Sequence, residues 1–236
     1  MNKKQNIEPA LYLVPTPIGN LEDITLRAIN ILQNADIIAC EDTRRSGILI
    51  KALNINTKAK LISYFEHNEK EKINFLIDKI HKGSIVALIS DAGSPCISDP
   101  GYKLVQKAIE KKIKIISLPG ANALIPALIA SGLPIHNFTF WGFPPQKKGR
   151  KTFIKQILDC NNASILYESS HRIVKFINEI VNIAPNRKIC IAREISKIHE
   201  EYIRFNTSNF IKDKINIIEK GEFVIIIEGN NKEEII

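Results

Sequence analysis

Residues 90–101 of the sequence (SDAGSPCISDPG) have a composition that suits the binding of a polar ligand. Their Asp and Ser side chains offer hydrogen-bonding oxygens, and Gly93 lets the backbone approach a ligand closely. The segment follows an apolar run at 84–89 that is typical of a buried strand. Ligand crevices of open α/β sheets lie at such strand ends. A helix-capping connection is the alternative, although two turns that contain Asp exceed what capping requires.

Three polar clusters elsewhere could move a proton or hold an anion. They lie at 65–69 (FEHNE), 167–172 (YESSHR) and 192–194 (ARE), each after a run typical of a strand. Imidazole and carboxylate groups can accept a proton, whereas a guanidinium binds phosphate through paired hydrogen bonds. A lone His is more often a capping or solvated residue, so this alternative stays open for both histidine-containing clusters.

The segment EDTRR at 41–45 follows another apolar run and admits two interpretations. In a Rossmann methyltransferase, an acid at this place would hold the cofactor ribose. The first turn, PTPIGN at 15–20, is not G-x-G-x-x-G, and no phosphate-binding P-loop occurs in the chain. We therefore expect neither a dinucleotide site nor a nucleoside-triphosphate site. The acids can equally lie at the start of a helix, where the positive end of the helix dipole stabilises their negative charge.

The densest positive stretch lies at 147–155, with five positive charges in nine residues. Aromatic residues precede it, namely Phe138, Phe140, Trp141 and Phe143. Such charges can contact RNA phosphates, and an exposed ring can stack on an unpaired base. The alternative is a solvated helix start that follows core aromatics. We expect four of the basic residues to bind RNA: Lys147, Lys148, Arg150 and Lys151.

These clusters sit in a chain whose apolar runs alternate with helical patterns. We predict strands at 11–14, 37–40, 62–65, 85–89, 113–118, 138–141, 163–167, 188–193, 200–205 (an edge) and 223–228. We predict helices at 25–33, 43–53 (with Thr43 as N-cap), 69–81, 102–112 (with Leu104, Val105, Ala108 and Ile109 inward), 121–131, 150–158, 171–181 and 208–219. The alternation favours a parallel α/β sheet that is covered on both faces. We place a domain junction near 118–133, between domains 1–120 and 121–236.

Composition and charge narrow the class of protein further. The chain is 44% hydrophobic and 25% charged, which is ordinary for a globular protein. Its net charge of +8 suits a polyanionic partner. No apolar run approaches the roughly 18 residues that span a bilayer, and the polar amino terminus lacks a signal-peptide core. We expect a cytoplasmic protein without a membrane partner.

The cysteine and histidine spacing gives no metal signature. None of the four cysteines forms a C-x-x-C pair, and none of the five histidines forms an H-x-x-x-H pattern. Cys40 and Cys190 lie in apolar runs, so we expect both to be small core residues. The sequence therefore predicts no metal site.

Seven motifs together resemble the ribosomal RNA small subunit methyltransferase I family, of the tetrapyrrole-methylase-like class of S-adenosylmethionine enzymes. They are VPTPIGNL (14–21), CEDTR (40–44), HNE (67–69), LISDAGSPCISDPG (88–101), LPG (118–120), YESSHR (167–172) and ARE (192–194). They occur in the family's order and span about 11–229. Ser169 and Ser170 stand where the family commonly has Ala-Pro. The resemblance implies a two-domain α/β fold with a parallel-sheet N-terminal domain, a mixed-sheet C-terminal domain and a cofactor cleft between them.

The resemblance also implies an activity. The expected reaction is 2′-O-methylation of a cytidine ribose in 16S ribosomal RNA, at the decoding region of the small subunit, by a homodimer that uses S-adenosylmethionine. The expected cofactor-binding residues are Pro17, Gly19, Asp91, Gly93, Ser94, Ser98, Pro119, Gly120, Ala121 and Tyr167. The expected catalytic residues are His67, Glu69, Arg172, Glu194 and Arg44, with Arg172 and Arg44 on phosphate and Glu194 or His67 as proton acceptor. A tetrapyrrole methyltransferase and a non-catalytic RNA-binding assembly factor remain alternatives.

Overall fold

The computed structural model of the chain describes residues 7–65 and 67–230. It comprises two compact units, residues 1–122 and 123–236. The first unit holds a five-stranded parallel sheet, and the second holds a five-stranded mixed sheet. The predicted α/β fold class is confirmed.

The sheet of the first unit has the strand order β3-β2-β4-β1-β5. Its strands are β1 (Leu11–Leu13), β2 (Ile37–Cys40), β3 (Lys60–Ser63), β4 (Val86–Leu88) and β5 (Ile115–Ser117). Alternate residues of these strands enter two separate apolar clusters, one on each face, as in Leu11 and Tyr12 of β1. Burial on both faces explains why the strands are apolar throughout rather than alternating.

The helices of the first unit are α1 (Leu26–Asn34), α2 (Thr43–Ala52), α3 (Glu69–His81) and α4 (Tyr102–Glu110). Helix α3 has the predicted bounds, and its buried face includes Ile73, Leu76 and Ile77. The predicted N-cap of α2 is wrong. Asp42 is the cap, because its carboxylate accepts the Arg44 N–H while Thr43 is already helical.

The sheet of the second unit has the order β6-β7-β10-β8-β9, in which only β6 and β7 are parallel. Its strands are β6 (Phe138–Phe140), β7 (Ala163–Ser169), β8 (Lys188–Arg193), β9 (Glu201–Asn206) and β10 (Glu222–Ile227). Its helices are α5 (Leu124–Ala130), α6 (Arg150–Asp159) and α7 (Ile173–Ile183). Helices α6 and α7 share an apolar core with β7, β8 and β10. Strand β9 lies at an edge, as the sequence predicts.

Three sequence predictions are wrong in detail. Residues 208–219 do not form a helix: one 3₁₀ turn at Thr207–Asn209 is followed by turns, and Lys214 adopts a φ of +48°, which no right-handed helix can include. Helix α5 is shorter than predicted, and Ile125 and Ile129 on it are exposed. Ile109 of α4 is exposed rather than inward, whereas Leu104 and Ala108 are buried.

The described residues contain neither a candidate membrane span nor a candidate metal-binding cluster. Within 7–65 and 67–230, no helix is long and apolar enough to cross a membrane. The same residues contain no group of three or more His, Cys, Asp or Glu side chains arranged to hold a metal ion. Cys40 and Cys190 are buried core residues, as expected.

Candidate functional site

Three loops meet at the carboxyl edge of the parallel sheet, after the neighbouring strands β1, β4 and β5. Thr16 and Gly93 exchange two backbone hydrogen bonds of 2.9 Å, which join the first loop to the second. Ser94 Oγ donates to the Ala121 carbonyl at 3.3 Å and joins the second to the third. A Cβ on Gly120 would lie 2.7 Å from the Cβ of Pro15. The loops that carry most of the expected cofactor residues are therefore held together.

The loop after β4 stores backbone strain. Cys96 and Ser98 adopt φ of +70° and +62°, a region that side chains other than Gly rarely enter. Gly93 and Gly101 have φ of +83° and +138°. A Cβ on Gly101 would lie 2.6 Å from Cys96 Sγ, so only glycine fits there. Clustered strain of this kind persists where the surroundings fix the backbone, and it is typical of ligand sites.

Several of the expected cofactor residues differ in exposure. Pro17 is buried, Gly19 and Ser98 are exposed, and Pro119 is exposed at the turn after β5. Tyr167 lies on β7 of the second unit, where its ring contacts those of Phe140 and Phe143 at centroid distances of 5.0 and 5.5 Å.

Three carboxylates gather where β2 and β4 end. Asp91 pairs with Arg45 at 3.0 Å and accepts the Asp42 N–H. Glu41 Oε1 is buried and has no hydrogen-bond partner among the described residues. Burial, then the charge of Asp91, raises the pKa of Glu41. Burial raises the pKa of Asp99 most, and the negative charges of Glu41 and Asp91 raise it further, to about 7.

Asp99 can therefore exchange a proton near neutral pH, which suits a general base. The sequence pattern offered Asp99 only as one of the ligand-binding oxygens of its loop, and neither Asp99 nor Glu41 was among the expected site residues. The only signal was the Ser98-Asp99-Pro100 turn. After burial, the largest contribution to the shift comes from Glu41, which becomes a neighbour of Asp99 only because β2 and β4 are adjacent in the sheet.

The expected catalytic residues of the first unit have different surroundings. His67 is exposed, and its ring lies edge-on to that of Phe65. Glu69 is buried, accepts from Tyr64 Oη at 3.1 Å and pairs with Lys103 Nζ at 2.8 Å. Burial alone would raise the pKa of Glu69, but the hydrogen bonds from Lys103 and Tyr64 lower it overall. Glu69 therefore links Tyr64, which follows β3, to Lys103 of α4, and these contacts disfavour its protonation.

Arg44 is almost fully exposed at the start of α2. Its guanidinium pairs with Asp42 at 2.8 Å, and hydrogen bonds from Arg44 lower the pKa of Asp42 to about 2. The Asp42 carboxylate is therefore charged at neutral pH and orients Arg44 on the surface.

Glu194 of the second unit is held in a turn with a φ of +52°. It accepts from Lys197 Nζ and from the Glu222 N–H, both at 2.9 Å. Burial would raise its pKa, but these hydrogen bonds lower it overall. A Cβ on Gly221 would lie 2.5 Å from the Glu194 side chain. The carboxylate fits a structural role in this turn better than proton transfer.

The basic stretch at 147–155 divides into surface and interior residues. Lys147, Lys148 and Lys151 are exposed, as expected for RNA contacts. Arg150 is not: its side chain is 8% exposed and pairs with Glu179 at 2.7 Å. Our expectation that Arg150 binds RNA is corrected, because its guanidinium is turned into the core.

The aromatic residues before the basic stretch divide in the same way. Trp141 donates its indole N–H to Ser164 Oγ and packs against Phe153, so it belongs to the core. Phe143 is 52% exposed, and its ring lies edge-on to Tyr167. Among these aromatics, Phe143 is therefore the best placed to stack on a base.

Arg172 lies just before α7, at the end of β7. Its Nη2 pairs with Glu168 Oε1 at 2.8 Å, and its Nε donates to Ser169 Oγ at 2.9 Å. The side chain remains partly exposed. A guanidinium held in this way can offer its free edge to an anion.

Comparison with known proteins first gives a class. A family model described as Tetrapyrrole (Corrin/Porphyrin) Methylases matches residues 10–210. Among solved structures, uroporphyrin-III C-methyl transferase from Thermus thermophilus complexed with S-adenyl homocysteine has a TM-score of 0.58 at 18% identity, and the match covers 93% of this chain and 97% of that chain. The protein therefore has the tetrapyrrole-methylase fold.

Relatives of higher identity then give the family. A protein named ribosomal RNA small subunit methyltransferase I from Hydrogenobaculum sp. (strain Y04AAS1) is 50% identical, over 94% of this chain and 96% of the relative. One of the same name from Escherichia coli O157:H7 is 42% identical, over 97% of this chain and 81% of the relative. This chain belongs to the ribosomal RNA small subunit methyltransferase I family.

Proposed function

We propose that this protein transfers a methyl group from S-adenosylmethionine to the ribose 2′-hydroxyl of a cytidine in 16S ribosomal RNA, at the decoding region of the small subunit. The observation that carries the proposal is the 42–50% identity, over nearly the whole chain, to relatives named ribosomal RNA small subunit methyltransferase I. The exposed lysines and the net charge of +8 support an RNA partner.

The edge loops of the first unit suit the cofactor. The ribose, the adenine amine and the ammonium group of S-adenosylmethionine all donate hydrogen bonds, and the buried Glu41 Oε1 has no donor among the described residues. Of the expected cofactor residues, we assign those of the first unit, together with Glu41, to cofactor binding: Pro17, Gly19, Glu41, Asp91, Gly93, Ser94, Ser98, Pro119, Gly120 and Ala121. When bound, S-adenosylmethionine supplies an electrophilic methyl group on its sulfonium.

The protein's own contribution to the reaction is alignment and proton acceptance. In-line displacement depends mainly on holding the hydroxyl in position and excluding water. We propose that Asp99 accepts the proton of the ribose hydroxyl, because its pKa of about 7 suits a base at neutral pH. The exposed His67 is the alternative acceptor. Glu69 and Glu194 act by positioning their loops, since each is already bound to a lysine.

The RNA is held by charge and by stacking. We assign the binding of RNA phosphates to five basic residues: Lys147, Lys148, Lys151, Arg172 and Arg44. Exposed Phe143 can stack on an unpaired base beside the lysines. These contacts set the orientation of the RNA without reading its sequence.

We further propose that the enzyme acts in the cytoplasm as a homodimer. Tyr102 and Ile109, seven residues apart on one face of α4, are both more than half exposed and give an apolar surface that a second copy could cover. Analytical ultracentrifugation of the protein at micromolar concentration tests the homodimer. A single species with the mass of a monomer would contradict it.

The function is tested by incubating the protein with labelled S-adenosylmethionine and small subunits from cells that lack this modification. The RNA is digested, and the labelled nucleoside is identified by mass spectrometry. We expect one 2′-O-methylcytidine. Label on a base or on another nucleoside would contradict the assignment. Label on uroporphyrinogen instead of RNA would indicate a tetrapyrrole enzyme, and cofactor binding without transfer would indicate a non-catalytic factor.

A further inference from the structure

An ion network lies inside the second unit, between α6, α7 and the end of β7. The Glu168 side chain is fully buried and that of Arg150 is 8% exposed. Two of its atoms, Glu168 Oε2 and Arg150 Nη2, have no hydrogen-bond partner among the described residues. Buried and incompletely bonded charges contribute little to stability, and well-packed apolar residues often do better. The network therefore needs an explanation other than stability.

Glu168 holds Arg172 along one edge of its guanidinium. Glu168 Oε1 pairs with Arg172 Nη2 at 2.8 Å and accepts the Ser169 N–H at 2.8 Å. Ser169 Oγ accepts from Arg172 Nε at 2.9 Å. None of the hydrogen bonds identified within 7–65 and 67–230 uses Arg172 Nη1. The contacts fix the rotamer of Arg172 while one guanidinium nitrogen stays available.

Arg150 connects Glu168 to the lysine-bearing loop. Its Nη1 lies 3.7 Å from Glu168 Oε2 and donates to the Pro145 carbonyl at 3.2 Å. Its guanidinium also lies over the Phe176 ring, 5.2 Å from the centroid. Pro145 directly precedes the segment that carries Lys147 and Lys148. One buried network thus contacts Arg172 directly and, through the Pro145 carbonyl, the loop that carries Lys147 and Lys148.

We propose that Glu168 is a positioning residue for methyl transfer, which fixes the Arg172 guanidinium in the geometry that receives an RNA phosphate. The inference rests on the proposed function, since it takes Arg172 as a phosphate ligand. Ordering a long side chain before binding removes part of the entropy that binding would otherwise cost. It also keeps the acceptor nucleotide in line, where an error of about 1 Å can cost about 10²-fold in rate.

The test compares three variants of the full chain. Glu168→Gln removes the charge that holds Arg172, and Ser169→Ala removes only the hydroxyl that accepts from Arg172 Nε. Glu201→Gln is the control, because it breaks a 2.7 Å pair with Arg193, whose side chain is 8% exposed like that of Arg150, and contacts no residue assigned to RNA. Single-turnover methylation of unmodified small subunits and S-adenosylmethionine affinity are measured for each.

We expect Glu168→Gln to lower kcat/KM for subunits by about 10- to 100-fold and Ser169→Ala by about 3- to 10-fold, with unchanged cofactor affinity. The control should stay within about 2-fold. If Glu168→Gln does not fold, the methylation rate of Ser169→Ala still tests the inference, because that substitution leaves no unpaired charge in the interior. Equal losses in Glu201→Gln and Glu168→Gln, or parental rates in Glu168→Gln and Ser169→Ala, overturn the inference.

A double-mutant cycle separates this inference from the function on which it rests. If Glu168 acts through Arg172, Glu168→Gln should cost less than about 2-fold in an Arg172→Ala background. A full, additive loss there overturns the inference alone. If Arg172→Ala itself methylates and binds subunits normally, Arg172 is no phosphate ligand, and both that part of the proposed function and the inference fail.

Discussion

The two regions that we assign to cofactor and RNA are held in shape by different forces. At the edge of the parallel sheet, the loops after β1, β4 and β5 are fixed by paired backbone hydrogen bonds, glycine contacts and positive φ angles. At the end of β7, Arg172 is fixed by an ion pair with Glu168, and Arg150 of the same ion network donates a hydrogen bond to Pro145 of the neighbouring loop. Substitutions in the first region should therefore act through shape, and those in the second through charge.

Asp99 is the strongest test of this contrast, because it is a titrating carboxyl group in a region whose loops are joined mainly by backbone contacts. We expect Asp99→Asn to lower the single-turnover rate by about 10²- to 10⁴-fold at saturating cofactor, the usual range for loss of a general base. The parent rate should rise with pH and level off above about pH 7, where Asp99 is ionised. The variant should lose that rise.

His67→Ala serves as the comparison for the proton acceptor. If Asp99→Asn stays within a few-fold of the parent while His67→Ala falls by about 10²-fold or more, His67 is the acceptor and our choice is wrong. Glu194→Gln should stay within a few-fold in either case, since its carboxylate is bound by Lys197 and Glu222.

The surface lysines test the charge side of the comparison. Replacing Lys147, Lys148 and Lys151 together by Glu should weaken subunit binding by about 10- to 100-fold and leave cofactor affinity unchanged. The plot of log affinity against log salt should become less steep by about 2 to 3, since each lost phosphate contact contributes about 0.7–0.9.

A matched control keeps the net charge equal to that of the lysine variant. Lys51, Lys58 and Lys111 are exposed lysines of the first unit, and their replacement by Glu changes the charge by the same amount. Equal loss of binding in the two triple variants would mean that overall charge, rather than this surface, attracts the RNA.

Two glycines with the same backbone angle test the shape side. Gly93 and Gly149 both have a φ of +83°, so alanine strains both backbones equally. A Cβ on Gly93 would lie 3.4 Å from Ile18 Cγ2, whereas a Cβ on Gly149 would meet nothing within 4 Å. We expect Gly93→Ala to weaken S-adenosylmethionine binding by about 10-fold, or about 1.4 kcal/mol. Gly149→Ala should not, and equal calorimetric affinities of the two would refute the cofactor placement.

The sequence predicted the features that depend on local pattern. The apolar spacing within 69–81 gave the bounds of α3, and the apolar runs gave every strand with small boundary shifts. The polar composition and permissive Gly93 of 90–101 pointed to the loop that the structure shows strained and joined to its neighbours. In each case the cause lies within a few residues of the effect.

The features that the sequence missed depend on distant residues. Arg150 looked like one charge of a solvated run, because its partner Glu179 lies 29 residues away. Burial raises the pKa of Asp99 most, and Glu41, the acid that contributes next, belongs to a loop that only the strand order makes a neighbour. At 208–219, apolar spacing suggested a helix, yet the chain forms turns there, and the φ of +48° at Lys214 is incompatible with a right-handed helix.

Asp99 also gives the smallest of the expected effects, on the free energy of unfolding. Its pKa is about 7 when folded against 3.8 as the ordinary value, so the folded protein binds the proton more tightly than the unfolded chain. Its contribution to stability is therefore fully present below about pH 4, declines as the pH rises from about 4 to 7, and is flat above 7.

Asp99→Asn removes the buried charge that causes the decline. At pH 8 the variant should gain about 1 kcal/mol, a discounted figure because the carboxyl is partly solvated, or about 2–4 °C in Tm. Thermal unfolding at pH 4 and pH 8 checks this: a gain of the same size at both would show that the substitution stabilises the loop by packing rather than by removing the charge.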